Sequence, residues 1–126
     1  MTQTILVVDD DEDVRSSVAD ALMDLGYRTE TAGDGRQALA FLRAASFRPN
    51  LILLDMMMPE MDGWMFMTEI RKLPELASIP VVIFSAYGNP REVAGQLGAA
   101  GYLRKPLRLE ELARAVERSA TPEPGS

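Results

Sequence analysis

Asp55 closes the apolar run Leu51-Ile52-Leu53-Leu54 and stands there as a lone acid. Asp9 and Asp10 follow a second such run, Thr4 to Val8, directly. Ser85 ends a third, and Lys105 follows a short fourth, Gly101-Tyr102-Leu103. If these run ends meet, three carboxylates, a hydroxyl and an ammonium share one place. Clustered carboxylates repel one another, and their pKa values rise unless a cation intervenes. With oxygen donors only, the fitting ion is hard and divalent, Mg²⁺ or Mn²⁺. A carboxylate can also attack as a nucleophile and form an acyl phosphate. A metal and a lysine then neutralise the phosphoryl oxygens, while a hydroxyl donates to one of them. The chemistry that suits this set is phosphoryl transfer. Asp55, the single acid at its strand end, is the best-placed nucleophile.

The elements between these residues must bring them together. Strands are expected at 4–8, 27–32, 51–54, 79–84 and 101–103. The first, third and fourth read as buried on both faces, and the second alternates as an edge strand would. Helical patterns separate them. Val14, Val18, Ala21, Leu22 and Leu25 share one face, ended by Gly26. Asp34 can cap a helix carrying Ala38, Leu39 and Leu42. Phe66, Met67 and Ile70 point inward from another. Pro90 starts one that runs to about Leu97. Leu109, Leu112, Ala113 and Val116 mark the last. Five alternations of strand and helix predict an α/β fold, a doubly wound five-stranded parallel sheet with five helices. Right-handed crossovers place every strand's C-terminal end along one edge, where ligands bind.

The totals narrow the function. The 126 residues suit one domain, expected over 1–120, with 121–126 a disordered tail or linker start. No cysteine or histidine is present, so thiolate chemistry, Ser-His-Asp catalysis and most zinc or copper sites are excluded. The net charge of −6, without a basic stripe, argues against direct nucleic-acid binding. No signal peptide or membrane-length apolar run is evident, so a cytoplasmic location is expected.

Plainer readings compete for several residues. Asp11, Glu12 and Asp13 suit the positive end of the first helix. An EF-hand is ruled out because its sixth loop position is Val14 rather than glycine. Six of the eight methionines lie between Met56 and Met67. Thioethers could bind Cu(I), but packing of Met67, and shaping of the loop by Met56, Met58 and Met61, explains them more simply. Tyr102 reads equally as a half-buried edge-strand residue. Trp64 is expected to pack or sit partly exposed, without a catalytic part.

Four segments in order, "ILVVDDDEDVR" (5–15), "LILLDMMMPEMDG" (51–63), "VVIFSA" (81–86) and "GAAGYLRKPL" (98–107), resemble the response-regulator receiver domains of two-component signalling. The resemblance covers about 4 to 118. It implies the flavodoxin-like strand order 2-1-3-4-5. It also implies Asp55 as phosphoacceptor and Mg²⁺ (or Mn²⁺) bound by Asp10, Asp55, the backbone carbonyl of Met57 and, through water, Asp9. Ser85 matches the switch hydroxyl, Lys105 the phosphoryl-contacting lysine and Tyr102 the aromatic that turns inward. Lys105–Pro106 matches a cis peptide. The implied donor is a histidine kinase or histidine phosphotransferase. The face built by the fourth helix, fifth strand and last helix would change shape for a downstream protein. The chain would catalyse only its own phosphorylation and dephosphorylation, as a monomer or a phosphorylation-dependent dimer, alone or as part of a longer regulator. Met57 and Tyr87 flank the expected path of attacking water, which suggests slow self-dephosphorylation. The rival reading is a haloacid-dehalogenase-type phosphohydrolase with Asp9 as nucleophile; Asp13 departs from its D-x-D-x-[TV] pattern.

Overall fold

The computed structural model describes residues 2–45, 47–86 and 88–120. The expected tail, 121–126, and Tyr87 lie outside them. Five strands form one parallel sheet: β1 (Thr4–Val8), β2 (Arg28–Ala32), β3 (Leu51–Asp55), β4 (Val81–Ser85) and β5 (Gly101–Arg104). Their order is β2-β1-β3-β4-β5, as expected. The chain leaves β1 in opposite directions toward β2 and β3, so the switch point lies at the C-terminal ends of β1 and β3.

The helices are α1 (Glu12–Asp24), α2 (Gly35–Ala44), α3 (Gly63–Arg71), α4 (Pro74–Ala77), α5 (Pro90–Leu97) and α6 (Leu109–Ser119). The five long ones match expectation. The one-turn α4 does not appear in the sequence reading. Pro74 lacks the N–H that would continue α3, but its fixed φ suits the first position of a new turn.

Period-two alternation divides the central strands between two cores. Leu6, Val8, Ile52, Leu54 and Ile83 face α2, α3 and α5, where Leu39, Phe66, Ile70 and Leu97 meet them. Ile5, Val7, Leu53, Val82 and Phe84 face α1 and α6, against Val18, Leu22, Leu112 and Val116. With helices on both faces, β1, β3 and β4 are buried along their whole length. Two expected core positions are exposed. Leu25 is the C-cap of α1 and so leaves its apolar stripe, while Ala19 is buried. Leu109 opens α6 before the helix reaches the sheet, and Ala115 is buried below it.

Side-chain caps fix where the site-bearing loops end. Asp11 caps α1, accepting from the backbone N–H groups of Asp13 and Val14. Asp62 caps α3, accepting from Met65. The N–H of Gly63 donates to the carbonyl of Met56 at 3.1 Å, which ties α3 to the residue after Asp55.

Candidate functional site

Asp9 is the first residue beyond β1, and its side chain is wholly buried. Its backbone is held from two sides. Its N–H donates to the carbonyl of Ala32 at 3.2 Å, and its carbonyl accepts from Arg15 Nη1 at 2.8 Å. Its carboxylate accepts from the Asp11 N–H at 2.9 Å and from Lys105 Nζ at 3.0 Å. Asp10, the next residue, is exposed. Asp55 ends β3 beside β1 and is only 3% exposed. One of its oxygens accepts from the Met57 N–H at 3.2 Å; the other lies 3.5 Å from Lys105 Nζ. Oxygens of Asp9, Asp10 and Asp55 all fall within 4.8 Å of one another.

Lys105 reaches this cluster from just beyond β5. Its N–H donates to the Ser85 carbonyl at 3.0 Å, its bond to Pro106 is cis, and its ammonium stands 5.0 Å from the centre of the Phe84 ring. One cation therefore bridges two carboxylates on neighbouring strands.

The charges do not balance. Burial pushes the Asp55 carboxyl up to about 7; the Met57 hydrogen bond opposes the rise, Asp9 adds to it and Lys105 opposes it. For Lys105, burial works against the charge, but the hydrogen bond to Asp9 and the charge of Asp55 outweigh it and raise the pKa. One ammonium thus leaves an excess of negative charge among three carboxylates. Oxygen donors, converged and in part solvent-facing, fit a hard divalent ion. Asp9, Asp10 and Asp55 would hold it. When bound, it would supply charge neutralisation for the carboxylates and for phosphoryl oxygens.

The remaining expected residues lie at graded distances. Ser85 ends β4, buried, one residue past the Asp55–Phe84 register pair. Met57 meets Asp55 through its backbone N–H, and its side chain is exposed. Tyr102 lies in the middle of β5, paired with Ile83, its side chain directed outward and 46% exposed. The methionines divide as packing requires: Met56, Met58 and Met67 are buried in the α2–α3 core, Met61 packs against it, and Met57 and Met65 are exposed. Trp64 is partly exposed in the first turn of α3.

Two contributors are missing from the sequence reading. Arg15 anchors the Asp9 backbone, and the only signal is a lone basic residue closing "DDDEDVR". Phe84 offers its ring to Lys105, but a phenylalanine in an apolar strand carries no such mark. A cavity of about 640 Å³ between α1 and the segment 105–109 borders the site through Lys105; the three aspartates do not line it.

Residues 5–117 match the family described as "Response regulator receiver domain". The chain belongs to the response-regulator receiver family. This receiver is 42% identical over 131 residues to "Response regulator MprA" of Mycolicibacterium vanbaalenii, an alignment spanning all of this chain and 55% of that protein. The chain spans about half the length of the curated relatives it matches. Among solved structures, the receiver is similar to chemotaxis protein CheY4 of Vibrio cholerae, with a TM-score of 0.84, 33% identity and coverage of 94% and 98% of the two chains. It is also similar to the signal receiver domain of a signal transduction histidine kinase from Syntrophus aciditrophicus, with a TM-score of 0.82, 34% identity and coverage of 93% and 89%. A receiver is phosphorylatable, and its chemistry is confined to its own phosphorylation and dephosphorylation. Among the described residues, no helix is long and apolar enough to cross a membrane.

Proposed function

We propose that this receiver, residues 1–120, works in the cytoplasm and accepts a phosphoryl group on Asp55 from a histidine kinase or histidine phosphotransferase. The observation that carries this reading is the buried Asp55 carboxylate at the switch point, 3.5 Å from Lys105 Nζ and clustered with Asp9 and Asp10. The Met57 N–H orients one carboxylate oxygen. Asp10, Asp55 and the Met57 carbonyl would hold Mg²⁺, with Asp9 contributing through water, and the ion would supply charge neutralisation at the phosphoryl oxygens. Asp9 and the Phe84 ring hold the Lys105 ammonium where it meets charge gained on Asp55. Ser85 supplies its hydroxyl to the phosphoryl group and moves toward it. Tyr102, now outward, turns in.

Phosphorylation then biases two arrangements of the face built by α5, β5 and α6, which a downstream protein reads. Arg104 links this face to the site: its Nη2 donates to the carbonyl of Gly88, three residues beyond Ser85. The test is intact mass after incubation with a small acyl phosphate or phosphoramidate, with Mg²⁺ or with chelator. One phosphoryl adduct is expected with Mg²⁺ in the wild type, and none with chelator or in Asp55→Asn. An adduct of equal yield in Asp55→Asn would overturn the reading.

A further inference from the structure

One peptide group joins Asp9 to Asp10, and its carbonyl is the Asp9 oxygen that accepts from Arg15 Nη1 at 2.8 Å. The sheet does not hold this carbonyl. The Asp9 N–H extends the β1–β2 ladder by donating to Ala32 at 3.2 Å, but β2 stops there. The next N–H, that of Gly33, is given to Gln37 Oε1 at 2.9 Å. Arg15 fills the gap. A Cβ on Gly33 would stand 3.5 Å from its Nη1, so the guanidinium lies between the Asp9 carbonyl and the turn after β2. Arg15 is also out of place by local rules. It is the fourth residue of α1, half-buried, and its N–H closes the first turn onto the Asp11 carbonyl at 2.9 Å. The positive end of a helix disfavours a cation there. Among the described residues Arg15 forms no ion pair that would offset this. A residue that breaks a local rule without a local gain points to a role at the site.

We propose that Arg15 is a positioning residue for the divalent ion, fixing the peptide between Asp9 and Asp10 so that both carboxylates face one point. The proposal rests on the reading that Asp9, Asp10 and Asp55 hold Mg²⁺. The two neighbouring acids differ in what holds them. The Asp9 carboxylate is buried and engaged by the Asp11 N–H and by Lys105. The Asp10 carboxylate is exposed, and among the described residues no hydrogen bond or ion pair holds it. Only its backbone can aim it. The peptide is planar, so pinning the Asp9 N–H to Ala32 and the Asp9 carbonyl to Arg15 sets where the Asp10 Cα stands. Groups that orient metal ligands from behind are worth about 10–100-fold in metal affinity. The guanidinium charge acts in the opposite sense, because it repels a divalent ion. Removing the charge alone would therefore tighten binding, and removing the anchor would weaken it. The sign of the change separates the two.

The test is a Mg²⁺ titration of the isotope-labelled full chain, followed by the amide shifts of Asp9 and Asp10 and by Trp64 fluorescence. Arg15→Ala is expected to weaken Mg²⁺ about tenfold or more. Arg15→Lys, which keeps the charge and one donor, is expected to weaken it severalfold, and it is the variant read if Arg15→Ala does not fold. Arg43→Ala removes the same charge from an exposed position on α2 and is expected to bind as wild type does. Phosphoryl uptake by Arg15→Ala is expected to need correspondingly more Mg²⁺ but to regain the wild-type rate at saturation, where the ion itself aligns its ligands. Damage to the fold would instead lower the saturated rate. Wild-type affinity in a folded Arg15 variant, tighter binding, or a rate that saturating Mg²⁺ does not restore would overturn the role of Arg15 and leave the metal reading standing. A wild-type chain that binds no Mg²⁺ would overturn both.

Discussion

Replacing Asp55 with Asn should stabilise the metal-free protein, and the gain should grow with pH. A carboxyl held at about 7 instead of its ordinary 3.8 carries about 4 kcal/mol of disfavoured charge, at roughly 1.4 kcal/mol per tenfold change in proton affinity. The cause is chiefly burial, with Asp9 adding repulsion. Between pH 3.8 and 7 the folded state binds more protons at Asp55 than the unfolded state, so the group's contribution to stability falls as pH rises through that window. Above 7 the loss is complete and flat. Asparagine keeps an oxygen for the Met57 N–H but never ionises. The variant should therefore match wild type near pH 4 and exceed it by up to about 4 kcal/mol at pH 8. Urea unfolding of both proteins in chelator, at intervals across this range, reads the difference directly. Groups common to both cancel. A difference that stays constant with pH, or a variant less stable at pH 8, would refute the reasoning.

Lys105→Met should cost about 1–3 kcal/mol in chelator, because the buried Asp9 carboxylate loses its ammonium partner; urea unfolding at pH 8 checks this. Mg²⁺ at a hundredfold excess over its Kd should stabilise the wild type by about 2.7 kcal/mol. Asp10→Asn should lose most of that gain, read as a metal-dependent Tm. Gly63→Ala should destabilise by about 1–3 kcal/mol, since its Cβ would lie 2.9 Å from the Met56 Cα, which is backbone and has no room to yield. Phe66→Ala, at a fully buried position remote in role from the site, should cost about 3–5 kcal/mol without preventing phosphoryl uptake by the folded fraction.

The fold was legible where pattern and burial agree. The runs at β1, β3 and β4 are apolar because both faces are covered, and each ends on a residue of the site or one before it. Alternation in β2 marked an edge strand, which it is. Asp9, Asp10 and Asp55 were legible as a cluster because parallel strands end along one edge. What stayed hidden depends on side chains meeting across the chain. Nothing in the sequence says that Arg15 reaches back to the Asp9 carbonyl, or that Lys105 crosses the Phe84 ring. The outward position of Tyr102 was equally closed to pattern, since a four-residue edge strand leaves its faces ambiguous. The four-residue α4 is too short to show a period.

The most direct test of the account is the location of the phosphoryl group itself. The wild-type chain would be treated with phosphodonor and Mg²⁺, its acyl phosphate trapped by borohydride reduction, and the modified residue located by peptide mass spectrometry. The account predicts reduction at Asp55 alone. Label at Asp9, the nucleophile expected of a phosphohydrolase, would contradict it.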